Sequence, residues 1–171
     1  VRRGGPCVHL RHGVDVALNA ANTLYFLPLQ QVTRDPALTQ AQRLKLLRIV
    51  SDCYVRGHFG QAADIYRSRH LSAAHLARWL RADLPARILD SYALKTASGI
   101  EALADAACAL ARSPAAVRTA CTAFARAFGV AFQIMDDVEN FTQPLRAARA
   151  ADDDIAAGKL TYVRSEERRV G

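Results

Sequence analysis

Asp136 and Asp137 are adjacent carboxylates inside an apolar run, Phe132-Gln133-Ile134-Met135-Asp136-Asp137-Val138-Glu139-Asn140. Ala125, Phe128, Phe132 and Met135 recur at steps of three and four, which is helical periodicity. On that helix Gln133, Asp136, Asp137 and Asn140 fall on a neighbouring face, because positions i, i+3 and i+4 lie one above another. Two carboxylates and two amides on one stripe make an oxygen-rich surface. It suits a hard cation such as magnesium, which prefers oxygen ligands and keeps waters or substrate phosphates in its shell. The plain alternative for an Asp pair is a solvated face or a helix end. The apolar flank from Phe128 to Met135 argues against it, since burying charge is costly unless it is paired or coordinated.

Four further groups carry chemistry. Gln61 and Asp64 are i and i+3 on one helical stretch and share a face. Lys95-Thr96 lies among Ala97, Ile100 and Leu103, and Lys95 is one of three lysines. Arg2-Arg3, followed by Gly4-Gly5-Pro6, can clasp phosphate oxygens bidentately. Asp154 with Gly158-Lys159 lies beyond the Asp pair. Each alone has a bland reading: a solvated Gln-Asp face, a snorkelling lysine, a surface arginine pair. Together, carboxylates for a metal and cations for phosphate oxygens describe a site for a diphosphate. A helical bundle can project all of them inward from facing helices, and its apolar walls can hold a hydrophobic chain. A diphosphate leaves readily when metal ions and cations neutralise it.

The elements that must position these groups read as helices. Gly13 to Gln31 is expected to be helical, with a kink or end near Pro28. Thr39-Gln40-Ala41-Gln42 has the form of a capping box opening a helix to about Ser68. Gly57 and Gly60 interrupt that helix, each at about 1 kcal/mol relative to Ala, so close packing or the approach of a ligand is expected there. Ser72 caps a short helix to Leu80. Pro85 begins another, to about Arg112. Ser113-Pro114 reads as a Ser N-cap with Pro at the first helical position, ahead of the helix carrying the Asp pair. Leu145 to Gly158 is expected to be helical. No repeat and no second domain boundary is visible.

The chain of 171 residues suffices for one core. Abundant alanine, few strand-like runs and 7% aromatics point to an all-α domain. The net charge of +7 would suit nucleic acid or phosphorylated small molecules. The arginines are scattered along helices without aromatic interleaving, which argues against nucleic acid. Cys7, Cys53, Cys108 and Cys121 are widely spaced and read as small core residues in a reducing compartment. No run approaches the about 18 apolar residues of a membrane span, and no signal peptide is visible. The expected location is cytoplasmic, with no stable membrane insertion. The five histidines show no convincing zinc spacing; His9 and His12 are the nearest to one.

The sequence resembles the trans-isoprenyl diphosphate synthase (polyprenyl synthetase) family, in its geranylgeranyl-type members. The motifs that carry the resemblance are Arg2-Arg3-Gly4-Gly5-Pro6-Cys7-Val8-His9, Gly60-Gln61-Ala62-Ala63-Asp64, Lys95-Thr96-Ala97, Gly129 through Asn140, and Asp154-Ile155 with Gly158-Lys159. They span about residues 2 to 162 in the family's order. The resemblance implies a helical bundle of the isoprenoid synthase type, here truncated at both ends. It implies that magnesium ions bridge an allylic diphosphate, that the diphosphate ionises, and that isopentenyl diphosphate attacks the allylic cation. By that resemblance Asp136 and Asp137 are magnesium ligands, Asp136 the more direct, and Asp64 supports the second carboxylate surface. Gln61 and Gln133 line the site with Phe132. Lys95 holds the allylic diphosphate and Thr96 sits near the reacting carbons, so Lys95, Thr96 and Gln133 are the catalytic candidates. Arg2 and Arg3 divide between the two diphosphates, His9 assists on the isopentenyl side, and Lys159 faces the diphosphates.

Three departures qualify the pattern. The family's first aspartate-rich motif would precede Arg2. Asn140 stands where a third Asp is usual. Ala150, beside Arg149, stands where the family often has a lysine. Residues 1–162 are thus expected to be a partial synthase domain, inactive alone, and homodimeric in the complete protein. Val163 to Gly171 reads as translated adaptor sequence, a non-native tail. Two other functions are weighed. A terpene cyclase of similar fold also ionises diphosphates but needs no isopentenyl site, so Arg2-Arg3, His9 and Lys95-Thr96 favour elongation. A non-catalytic subunit of a heteromeric synthase usually lacks the Asp pair retained here.

Overall fold

The computed structural model describes residues 5–70 and 84–142. Among them the chain is all-α, with no β-strand element. Helix α1 is Val8–His12, α2 is Val14–Arg34 and α3 is Gln40–His70. Helix α4, Leu84–Tyr92, passes without a break into a π-helical turn, Ala93–Ala97, and then into α5, Ser98–Leu110. Helix α6, Ala115–Thr142, is the long helix of the Asp pair.

The capping box forms. The Gln42 backbone N–H donates to Thr39 Oγ1 at 3.3 Å, and the Thr39 N–H donates to Gln42 Oε1 at 3.0 Å. Two orphan donors at the start of α3 are thereby satisfied reciprocally. Helix α2 does not end at Pro28 but continues six residues further to Arg34. Proline removes one backbone donor there, and because α2 buries no residue, water can reach the carbonyl that loses its partner. The start of α6 is displaced by one position: Pro114 supplies the carbonyl that accepts from the Arg118 N–H at 3.0 Å, and the helix opens at Ala115. The expected single helix from Pro85 to Arg112 is one continuous run with the π turn inside it. The expected short helix at Ser72 and the one at Leu145 lie outside the described residues.

The core sits where α3, the α4–α5 run and α6 meet. Leu46 and Ile49 come from α3, Ile88, Tyr92, Ala93, Ala97 and Cys108 from the middle run, and Ala125 from α6. Small residues let the helices approach. A Cβ at Gly60 would lie 2.5 Å from the Lys95 backbone nitrogen, and one at Gly129 would lie 2.5 Å from Ala97 Cα. The closeness expected at the α3 glycines is therefore real at Gly60, whereas Gly57 has an ordinary 3.8 Å contact with Ser98 Oγ. All four cysteines are free; Cys108 is buried and the others are half-buried. Burial pushes the Cys53 thiol above its ordinary value, which keeps it neutral.

Helix α6 shows two stripes one residue apart. Ala125, Gly129, Gln133 and Asp137 step by four and are all buried. Phe124, Phe128 and Phe132 step by four beside them, and with Met135 are 53–72% exposed. This corrects the expectation that the Asp pair is embedded in buried apolar residues. The helix packs through its small and polar stripe, and the aromatic stripe faces away.

Between α3, α5 and α6 lies a cleft of about 470 Å³ that holds two ion pairs. Arg56 bonds Glu101, and Arg118 bonds Asp105 through two nitrogens, Nη2 at 2.7 Å. The Arg118 hydrogen bonds hold the Asp105 carboxyl below the usual carboxylate range. A depressed carboxylate stabilises the fold above its unfolded value of about 4, and that contribution is lost as pH falls through the lower, folded value. The pair is partly exposed, so roughly 1 kcal/mol is expected. Denaturant titrations from pH 6 to pH 2 should show this loss, and Asp105→Asn should remove its acid dependence; an unchanged pH profile in the variant would exclude it.

Candidate active site

The site is built where the π turn passes between α3 and α6. A π turn carries one more residue per hydrogen-bonded ring than an α turn and is common at functional sites. Here it holds Lys95 and Thr96 between the two glycine contacts. Lys95 Nζ donates to Asp64 Oδ2 at 2.9 Å across to α3. Thr96 Oγ1 donates to Gln133 Oε1 at 2.6 Å across to α6. Neighbouring residues of one turn thus bridge opposite walls.

On α6 the Gln133 amide nitrogen faces Asp136 Oδ2 at 3.5 Å and Asp137 Oδ1 at 3.4 Å. The two aspartates differ sharply. Asp136 is exposed, while Asp137 is 3% exposed and accepts a hydrogen bond from the Tyr92 hydroxyl. An ionised carboxylate at that depth needs donors around it, and Tyr92 and Gln133 provide them.

The structure therefore brings together Asp64, Lys95, Thr96, Gln133, Asp136 and Asp137. Phe132 stands beside them on the exposed aromatic stripe. Gln61 is exposed on α3, and the i, i+3 relation does not carry it into the Lys95–Asp64 pair. His9 is exposed on α1, which packs chiefly on α2. Arg2, Arg3, Asp154 and Lys159 lie outside the described residues, as does the side chain of Asn140. Among the described residues no group of three His, Cys, Asp or Glu side chains is close enough to hold a metal ion. The weak His9–His12 hint gains no third partner there.

Sequence reasoning missed Tyr92 and Arg67. Tyr92 follows a polar stretch at the end of α4 with no motif signal. Arg67, three residues after Asp64, donates through Nε to the Ala63 carbonyl at 3.1 Å and through Nη1 to the Arg87 carbonyl at 3.0 Å. Burial pushes its guanidinium below the usual value, yet it ties the end of α3 to α4. Its spacing from Asp64 was the available signal.

Chemically, the cluster offers one exposed carboxylate, a buried carboxylate fixed by two donors, a half-buried ammonium and a hydroxyl–amide pair. A model of the polyprenyl synthetase family matches residues 1–168. The chain is 25% identical over 165 residues to "Geranylgeranyl pyrophosphate synthase 2" of Zymoseptoria tritici, covering 95% of this chain and 44% of that protein. It is 27% identical over 163 residues to "Short chain isoprenyl diphosphate synthase" of Methanocaldococcus jannaschii, covering 95% and 46%. It is 27% identical over 167 residues to "Copalyl diphosphate synthase" of Talaromyces verruculosus, covering 95% of this chain and 15% of that protein. The chain thus spans less than half the length of these curated relatives. The match over nearly its whole length, through the helices that carry Asp64, Lys95 and the Asp136–Asp137 pair, makes this chain a member of the polyprenyl synthetase family.

Proposed function

We propose that the protein carrying this chain is a prenyltransferase that joins isopentenyl diphosphate to an allylic prenyl diphosphate in isoprenoid biosynthesis. The observation that carries the reading is the convergence of Lys95, Thr96, Gln133 and the Asp136–Asp137 pair around one π turn. The residues fit Mg2+ as the start of a shell: Asp136 presents a carboxylate to solvent with room for waters or substrate oxygens around the ion, while the Gln133 oxygen is already taken by Thr96. Asp136 would hold the ion directly, with Asp137 behind it and Asp64 toward the opposite wall. Bound there, Mg2+ supplies charge neutralisation to the departing diphosphate.

The chain's own residues supply the rest. Lys95 is half-buried, so its ammonium can exchange Asp64 for diphosphate oxygens at small desolvation cost. The Thr96 hydroxyl donates to the Gln133 carbonyl oxygen, and the free lone pairs of the two oxygens would stabilise allylic positive charge developing beside them. Phe132, next to Gln133 on the exposed aromatic stripe, would offer apolar surface to the hydrocarbon chain. Helix α2, with Leu18, Leu24 and Phe26 exposed, would be covered by a second copy in a homodimer.

The test is incubation of the complete protein that carries this chain with isopentenyl diphosphate and a labelled allylic diphosphate, with and without Mg2+. Elongated product that disappears with chelator is expected. Diphosphate release without elongation would instead indicate a cyclase, and no turnover would indicate a non-catalytic subunit. Lys95→Ala should raise KM for the allylic diphosphate about 10- to 100-fold, as loss of a charged hydrogen bond predicts; an unchanged KM would remove Lys95 from the site.

A further inference from the structure

We infer that Tyr92 is a positioning residue that sets the two aspartates of α6 into unequal roles; this deepens the proposed prenyltransferase reading and rests on it. Tyr92 and Thr96 are four residues apart on the middle run, and Gln133 and Asp137 are four apart on α6. Tyr92 reaches Asp137 and Thr96 reaches Gln133, so the two helices are joined by two rungs in antiparallel register. Gln133 links the rungs through its amide nitrogen, 3.4 Å from Asp137 and 3.5 Å from Asp136.

The Tyr92 hydroxyl is a donor to Asp137 that comes from outside α6. Tyr92 is 5% exposed and Asp137 3%, so little water is available to replace it. With the hydroxyl in place Asp137 points inward, Gln133 stays shared between Thr96 and the pair, and Asp136 alone faces solvent. Without it, Asp137 loses a donor and is free to shift against the Gln133 amide. Because the same amide nitrogen faces Asp136, such a shift disturbs the carboxylate that Asp136 presents. Groups that orient metal ligands from behind typically change metal affinity 10- to 100-fold when removed.

The test is Tyr92→Phe, which keeps the ring and removes only the hydroxyl. Binding of inorganic pyrophosphate is measured by calorimetry across a Mg2+ titration, with thermal melting in metal-free buffer as a check on folding. The expected result is a Mg2+ midpoint raised about 10- to 100-fold in a variant that still folds. Wild-type and variant midpoints within twofold of each other would overturn this inference and leave the prenyltransferase reading standing. Absence of Mg2+-dependent pyrophosphate binding in the wild type would overturn both. Should Tyr92→Phe not fold, the Asp137→Asn background decides. There the buried charge is gone, so Tyr92→Phe should fold and bind as Asp137→Asn alone does. A double variant that fails to fold, or loses binding further, would show that Tyr92 acts by packing.

Discussion

Asp136→Asn should lower kcat for Mg2+-dependent chain elongation by about 10²- to 10³-fold and leave the melting temperature unchanged. The magnitude is that of removing one group aimed at developing charge in a catalytic site. The direction follows from geometry. Asp136 is exposed, and its contact with the Gln133 amide is long, at 3.5 Å, so the fold gains little from its charge. Asn keeps the shape and one oxygen but removes the negative charge that a hard cation needs. Asp137→Asn should behave differently. Its carboxylate is buried against Tyr92 and Gln133, so the variant should alter both thermal stability and Mg2+ dependence. Steady-state kinetics over a Mg2+ series, with melting curves beside them, separate the two. An Asp136→Asn protein with less than a tenfold loss and an unshifted Mg2+ midpoint would remove Asp136 from the metal site.

The second large effect is steric. Gly129→Ala should destabilise the protein by about 2 kcal/mol, as overpacking of a tight contact does. For a chain of this size that corresponds to a melting temperature lower by roughly 4–8 °C. The new Cβ would stand 2.5 Å from Ala97 Cα and 2.7 Å from Ala97 Cβ. Gly60→Ala should act alike, with Lys95 N at 2.5 Å and Leu94 C at 2.8 Å. In both cases the obstacle is backbone or Cβ, which no rotamer change can move. The sign is the informative part, because Gly→Ala inside a helix ordinarily gains up to about 1 kcal/mol. Gly99→Ala on α5 is the control: nothing lies within 4 Å of its Cβ position, so it should stabilise. Chemical denaturation of the three variants checks the contrast. Equal stabilisation by all three would exclude the close approach of the helices. Because both contacts grip the turn of Lys95 and Thr96, the destabilised variants should also lose activity beyond their loss of folded protein.

Helical periodicity, the Thr39–Gln42 capping box and the motif order were enough to fix the all-α class, most helix spans and the family. They also placed Gln133, Asp136 and Asp137 on one stripe. These are local properties, set by residues three or four apart, and the backbone geometry of a helix carries them directly. The tertiary structure decided the rest. Asp137 is buried and bonded to Tyr92, 45 residues earlier in the chain, while Asp136 is exposed, a difference that only the packing of α6 on the middle run creates. That Lys95 pairs with Asp64 depends on a contact over 31 residues. The π turn arises where three helices crowd against Gly60 and Gly129, and nothing in the Ala93–Ala97 segment itself announces it. The outward-facing aromatic stripe of α6 follows the same logic. Periodicity shows that Phe124, Phe128 and Phe132 share a face, but only the packing partner determines whether that face or the Gly129–Asp137 stripe is turned inward, since burial is a property of contacts between distant segments.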